Sequence, residues 1–461
     1  MGYAVSGTPA VPTGSSFRPF YSCRRMILLT ACILGVLQYG MVLVFGVIVH
    51  DLDDYYGLTT AEGDVLYSYL NFGSCALSFL PGILYDRLGA SSSMVIGTII
   101  GIFPVGLQLT WSPAFPAWLS TFGGLKLCYL FAGFSSSFFN VIGCCAPMAA
   151  FDEKDLGKVS AAVQICLSLG ISVQSAVFAA IKSMSKEFIE DYLSYSLIFL
   201  ASCGTIMATV FKACEDLIGA NFEDRAKAPR TPIKETVCNP AFAYMSFLFA
   251  VAIGFCFSFL DVEARIAAEA DVDASSLSIS FGMINCIGRV ATSLPLDFTR
   301  HHRFGGVQTY IFVSLGVFAS GLLCLAVPAE PGAMHVFAAN ALAALGYGGL
   351  LGIIPPALRL QFGTDNLGMI YGVLYFWVAG SVPIWAFWDS KPDSCFGVKC
   401  YREYCLGGVF GMGLTMAATV PFILAPAFRS NDKALPENLH ASLLGKAQRM
   451  GGEVTPALTT P

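Results

Sequence analysis

The chain is short of charge. Asp, Glu, Lys and Arg make up 12% of its 461 residues, about half the ~25% of an ordinary soluble domain. Such a sequence cannot cover a water-facing surface. Histidine is scarcer, with five residues scattered along the chain, and a membrane enzyme would need a cluster of His, Asp or Glu at one depth. No HExxH, GxSxG, phosphate-binding P-loop or paired Cys-x-x-Cys occurs, so neither catalysis nor a metal or other cofactor is expected. The net charge of −5 offers no basic face to nucleic acid. There is no Asn-x-Ser/Thr sequon, and no cleavable leader is expected, since the first apolar run is too long and follows a polar tail.

What is abundant is apolar length. Apolar residues make up 55% of the chain and mean hydropathy is +0.66. Runs of about 20 apolar residues are long enough to span a bilayer, and twelve occur, near 26–49, 63–85, 91–111, 125–150, 156–181, 193–211, 240–262, 275–297, 306–327, 333–358, 366–388 and 406–428. The expected class is an all-α membrane protein with twelve transmembrane helices in two pseudo-symmetric six-helix bundles. The bundles would occupy 26–211 and 240–428, joined by a Pro-rich cytoplasmic linker at 212–239, with polar tails at 1–25 and 429–461. Of 26 Lys and Arg, eighteen fall on the side that holds both termini and six on the other, which places both termini in the cytoplasm. The plasma membrane is the expected residence.

The tail begins Met1-Gly2-Tyr3-Ala4-Val5-Ser6, a loose N-myristoylation pattern, and Cys23 beside Arg24 and Arg25 is a candidate palmitate site. The plainer reading is a disordered tail. Three cysteines share the last outer loop; on an oxidising side Cys395 and Cys400 would pair and leave Cys405 over.

Two apolar runs are joined by Gly82-Ile83-Leu84-Tyr85-Asp86-Arg87-Leu88-Gly89, with a weaker echo from Gly288-Arg289 to Asp297. The Gly-x-x-x-Asp-Arg-x-Gly pattern resembles the loop between the second and third helices of the major facilitator superfamily. Further stretches, among them Leu37-Gln38-Tyr39-Gly40, Tyr67 through Gly73, Gly133 through Asn140, Leu167 through Ser172 and Ile284 through Val290, resemble the nodulin-like branch, itself similar to monocarboxylate and oxalate/formate carriers. The resemblance implies a transporter working by alternating access, with gate residues at Gly82, Asp86, Arg87, Gly89 and Asp297. It also implies a central cavity formed by helices one, four, seven and ten. In proton-coupled monocarboxylate carriers an Asp stands four residues before an Arg in the eighth helix, and a Lys serves in the first. Here Arg289 follows Asn285, which cannot titrate, and no Lys lies between Ile27 and Val49.

Arg289 is the sharpest candidate. An intramembrane Arg is costly and faces a cavity or a partner, and its planar fork suits a carboxylate. It would either hold substrate or form a gating salt bridge with Asp297 or another acid. Gln38, Tyr39, Asn140, Asn285, Asn340 and Tyr371, with Asn71, Gln164, Gln174, Tyr347 and Tyr375, are polar side chains inside spans; singly each could tie helices together. Lys126 is expected to snorkel, and the acidic loop of Asp51, Asp53, Asp54, Glu62 and Asp64 to be a solvated face. The expected partners are a small-molecule substrate, membrane lipid and a coupling proton or other ion, with the chain a monomer. The expected function is secondary-active or facilitative transport of a small organic solute, best a carboxylate-bearing metabolite. The alternatives are a neutral or amino-acid-like nutrient with Arg289 structural, and a non-transporting sensor on the same frame.

Overall fold

The computed structural model describes residues 23–109, 122–218, 236–299, 306–363, 366–388 and 397–424. Gly2 and its tail, residues 219–235 of the linker, Cys395 and the C-terminal tail lie outside the described residues.

Among the described residues, ten helices are long and apolar enough to cross a membrane, and Leu367–Val382 adds a shorter apolar one. One of the ten, Ala61–Leu109, has 49 residues. At 1.5 Å per residue it would run about 73 Å, more than twice a ~30 Å hydrocarbon core, so it holds two crossings. The turn between them is made at Gly89, whose φ of 81° and ψ of 169° are open to glycine and strained for other residues. Twelve spans result. Span one is Cys23–Leu43 continued by Phe45–Tyr56, span two begins at Thr60–Ala76, and span three ends Phe79–Leu109. Spans four to six are Phe122–Ala150, Leu156–Met184 and Phe188–Ala213. Span seven joins Pro240–Leu248, a π turn at Phe249–Ile253 and Gly254–Glu269. Spans eight to twelve are Ala274–Thr299, Val307–Ala326, Ala333–Phe362, Leu367–Trp388 and Arg402–Leu424.

Local chemistry sets the ends. Thr59 and Glu62 form a reciprocal capping box at the start of span two, satisfying two orphan N–H groups. Asn239 accepts the Ala241 N–H at 2.9 Å ahead of Pro240, whose missing N–H costs nothing at a first helical position. Spans one and seven run past their apolar windows, to Tyr56 and Glu269. Hydropathy fades at the interface, whereas a helix needs only its backbone bonds to continue.

Glycine lets the spans touch backbone to backbone, the usual device of membrane helices. Cβ atoms on Gly346, Gly348, Gly349 and Gly352 would meet spans eight and nine, and Ala333–Phe362 is one unbroken helix despite Pro355 and Pro356. The geometry of this stretch is that of close packing. Between the halves, Gly82 of span two abuts the Gly368 carbonyl of span eleven, and Gly157 of span five abuts the Ser293 carbonyl of span eight.

Candidate substrate site

At the end that carries the Asp86 turn, the seam between the halves is held by hydrogen bonds to helix ends. Asp86 is buried, and its carboxylate accepts the Met369 N–H at 2.8 Å, on the first turn of span eleven. Asp297 repeats the arrangement with the halves exchanged, accepting the N–H groups of Gly157 and Lys158 at 2.7 and 3.0 Å on the first turn of span five. Each carboxylate thus caps a helix N-terminus of the opposite half, where orphan donors and the helix dipole favour negative charge. Arg359 adds a bond from its guanidinium to the Phe151 carbonyl at 2.8 Å. Arg87 is exposed and makes no ion pair among the described residues. The contact made by this turn comes from its Asp and a helix end.

These bonds exclude one sequence alternative. Asp297 is not the partner of Arg289, because eight residues along one helix separate them by about 12 Å and Asp297 is engaged elsewhere. The Gly-Arg echo also moves. The counterpart of the Asp86 cap is Asp297 alone, while Arg289 sits two turns deeper.

Arg289 is fully buried. Its Nε donates to Asn285 Oδ1 at 2.7 Å, and its Nη1 donates to Gln164 Oε1 of span five. Asn285 in turn donates to the Ala344 carbonyl of span ten at 3.2 Å and accepts from Ser168 Oγ. Gln164 donates to Cys144 Sγ of span four at 3.2 Å, and Cys144 donates to Asn140. Tyr371 lies against Cys144 and shares a hydrogen bond with Tyr375 at 3.3 Å. One connected network therefore joins spans four, five, eight, ten and eleven. Arg289 Nη2 is enclosed without a hydrogen bond, and no carboxylate among the described residues lies within ion-pair distance of the guanidinium. A buried charge left uncompensated costs several kcal/mol.

Of the sequence candidates, Arg289, Asn285, Asn140, Gln164, Tyr371 and Tyr375 come together in this network. Tyr39 is buried with its hydroxyl unbonded. Gln38 lies elsewhere: it lines a cavity of about 80 Å³ inside the first bundle, with Val105, Gln108, Tyr129 and Tyr192. Asn340 ties span ten to span eight, donating to the Leu277 carbonyl and Ser280 Oγ at 3.0 and 2.9 Å. Cys144 and Ser168 are network members that the sequence reading did not name, since a small side chain in an apolar run gives no polar signal.

At the opposite end, the acidic loop is not simply solvated. Asp53 is buried, Asp51 pairs with Lys182 at 2.7 Å, and Asp64 reaches Arg265 of span seven at 3.9 Å across the halves. Lys126 lies over the Phe122 and Tyr69 rings at 4.7 and 5.7 Å. Outside the spans, Arg24 beside it holds the Asp216 carboxyl below its ordinary range. Cys400 is disulfide-bonded, while Cys405 is free and buried.

Among curated proteins, the probable transporter mch1 of Emericella nidulans is 24% identical over 142 residues, covering 28% of this chain. The match spans 23% of that relative's length. Among solved structures, a double-tryptophan mutant of XylE superposes with a TM-score of 0.63 at 15% identity, covering 87% of this chain and 96% of that one. The human organic anion transporter MFSD10 superposes at 0.57 and 14% identity, covering 85% and 99%. These two likenesses concern the fold. The model of the Major Facilitator Superfamily matches residues 31–386, and with twelve apolar helices arranged in that fold the chain belongs to the major facilitator superfamily, an integral multi-pass membrane transport protein.

Proposed function

We propose that this transporter carries a small carboxylate-bearing metabolite by alternating access, with Arg289 holding the carboxylate. One observation carries the reading. A fully buried guanidinium is gripped by two neutral amides, keeps Nη2 unbonded, and has no carboxylate within ion-pair distance among the described residues. A substrate carboxylate supplies the missing charge and the missing acceptor together. Asn285, Asn140, Tyr39 and Tyr371 are the neutral walls of the site, with Gln38 and Asn340 supporting it from outside.

Both termini are cytoplasmic in this reading, as the excess of Lys and Arg on that side favours. The Asp86 end is then the cytoplasmic gate, held by Gly82, Asp86 and Asp297, with Gly89 shaping the turn and Arg87 as topogenic charge. The bundles of residues 26–211 and 240–428 rock about the seam as a monomer in the plasma membrane. A Cys395–Cys400 disulfide closes the last outer loop, in keeping with an oxidising exterior.

A second reading draws on the same amides. Gln164 and Asn285 tie spans five and eight through Arg289, so the Arg could be a structural clasp in a carrier of a neutral or amino-acid-like nutrient. Purified protein in liposomes decides between them, using labelled pyruvate, succinate, nicotinate, leucine and glucose. The carboxylate reading expects uptake of one or more acids, lost in Arg289→Lys while the protein stays folded. Retained acid uptake in Arg289→Lys refutes bidentate binding. Uptake of leucine or glucose alone favours the clasp, and no flux of any solute favours a sensor.

A further inference from the structure

We propose that Glu263, on the outer half of span seven, is the side chain that binds a coupling proton. The proposal rests on the carboxylate-carrier reading and adds the ion that travels with the solute.

Glu263 is 6% exposed. Its Oε1 is enclosed and has no hydrogen bond, and no cation stands within ion-pair distance of its carboxyl among the described residues. The charged groups around it are engaged elsewhere. On its own span, Arg265 reaches Asp64 of span two, and Glu269 accepts the Gly397 N–H at 2.7 Å. On span one, Asp51 holds Lys182, Asp53 packs against Gly63, and Asp54 is exposed. Span eight offers Asp273, which accepts the Ser276 N–H, and then Arg289 deep in the network. Spans ten and eleven present the phenols of Tyr347, Tyr371 and Tyr375, and the turn 398–401 carries Lys399 and Tyr401.

A bare carboxylate so enclosed costs several kcal/mol, whereas the neutral acid costs no more than other buried polar groups. In this arrangement Glu263 is therefore the acid, –COOH. One turn earlier the Leu260 carbonyl faces Gly46 of span one, and two residues later Arg265 reaches Asp64. Both contacts bridge the halves at the outer end and must part when that end opens. Opening of that end admits water and lets Glu263 take a proton from the outer solvent, and closure requires that the side chain carry it. The proton leaves on the other side, when the Asp86 end opens and water enters from there, and the empty carrier returns with –COO⁻ balancing the Arg289 charge. Asn285, the residue beside Arg289, cannot titrate, so a coupling proton needs a carboxyl elsewhere. Charge balances: Arg289 is neutralised by one substrate carboxylate and Glu263 by one proton, so one monoanion and one proton cross together without net charge.

The test compares the wild type with Glu263→Gln and Glu263→Asp in liposomes, using labelled pyruvate, succinate and nicotinate. Gln copies the shape of the protonated acid and cannot release a proton. Exchange of labelled for unlabelled solute at equal pH should survive in Glu263→Gln within about twofold, because a neutral side chain already fits the enclosed site. Accumulation driven by a one-unit pH difference, up to about tenfold at one proton per solute, should vanish in Glu263→Gln and persist in Glu263→Asp. A membrane potential alone should drive no accumulation of a monoanion. Gradient-driven accumulation by Glu263→Gln overturns the proposal, and so does loss of exchange in that variant while it remains folded. If the wild type exchanges none of the three acids, the carboxylate reading fails, and infrared spectra still decide the proton site. A protonated-carboxyl band that fades as pH rises, and is missing from Glu263→Gln, supports it; its absence from the wild type overturns it.

Discussion

At the scale of the residue, the protein turns on how a lone guanidinium is kept inside the membrane. Arg289 is oriented by Asn285 and Gln164, and both are acceptors that cannot neutralise it. Arg289→Lys keeps the charge and loses the fork. Hydrogen bonds to charged groups are worth about 1.5–3 kcal/mol, so acid uptake should fall by about 10- to 100-fold, read as initial rates in liposomes at matched protein density. Gln164→Leu removes only the Nη1 acceptor and should cost about tenfold by the same measure. Arg289 was legible in the sequence because a charge in an apolar run has few explanations. Gln38 lines a cavity within the first bundle, apart from the Arg289 network; a polar residue in a span announces burial without saying which neighbour it faces. Glu263 escaped notice because it stands one residue beyond an apolar window, where hydropathy reads it as an interfacial charge, yet the helix continues and packs around it.

At the scale of the element, the seam is built from helix ends. Asp86 caps span eleven and Asp297 caps span five, so one chemical device is used twice with the halves exchanged. The sequence displayed this repeat only as an imperfect echo, because the matched feature is an Asp facing a helix start, and the helix start belongs to a distant segment. A cap of this kind is worth about 1 kcal/mol, or about a fivefold shift between closed and open seam. Asp86→Ala and Asp297→Ala should each speed cytoplasmic-side thiol labelling of Ser160→Cys about fivefold, since Ser160 is buried where it donates to the Gly352 carbonyl across the seam. The two effects should add in free energy in the double variant, because the caps share no atoms. Unchanged labelling in both single variants would remove the caps from the gate. Gly82→Ala acts on the same seam by overlap with the Gly368 backbone; overpacking of about 1–3 kcal/mol should raise the labelling further and lower uptake.

At the scale of the whole molecule, the all-helical, many-span fold followed from apolar length, because a bilayer allows few alternatives to the helix. The conformation did not follow, since apolar length carries no record of which face of a bundle meets its partner. Rocking of one bundle against the other is the remaining claim, and the flank between spans five and eight tests it. Near the end opposite the Asp86 turn, the outer end in the proposed orientation, Ser175 Oγ and Ser278 Oγ stand 3.3 Å apart, one in each half, a separation that suits paired cysteines. Ser175→Cys with Ser278→Cys should close a disulfide under mild oxidant and hold the outer ends together. Uptake from outside should then fall to the background of empty liposomes and return when a reductant is added. Each single variant should transport at near wild-type rates with or without oxidant, which controls for the native cysteines nearby. A cross-linked chain that still carries solute would mean that spans five and eight stay joined through the cycle, and the moving parts would have to be sought within a bundle instead of between the two.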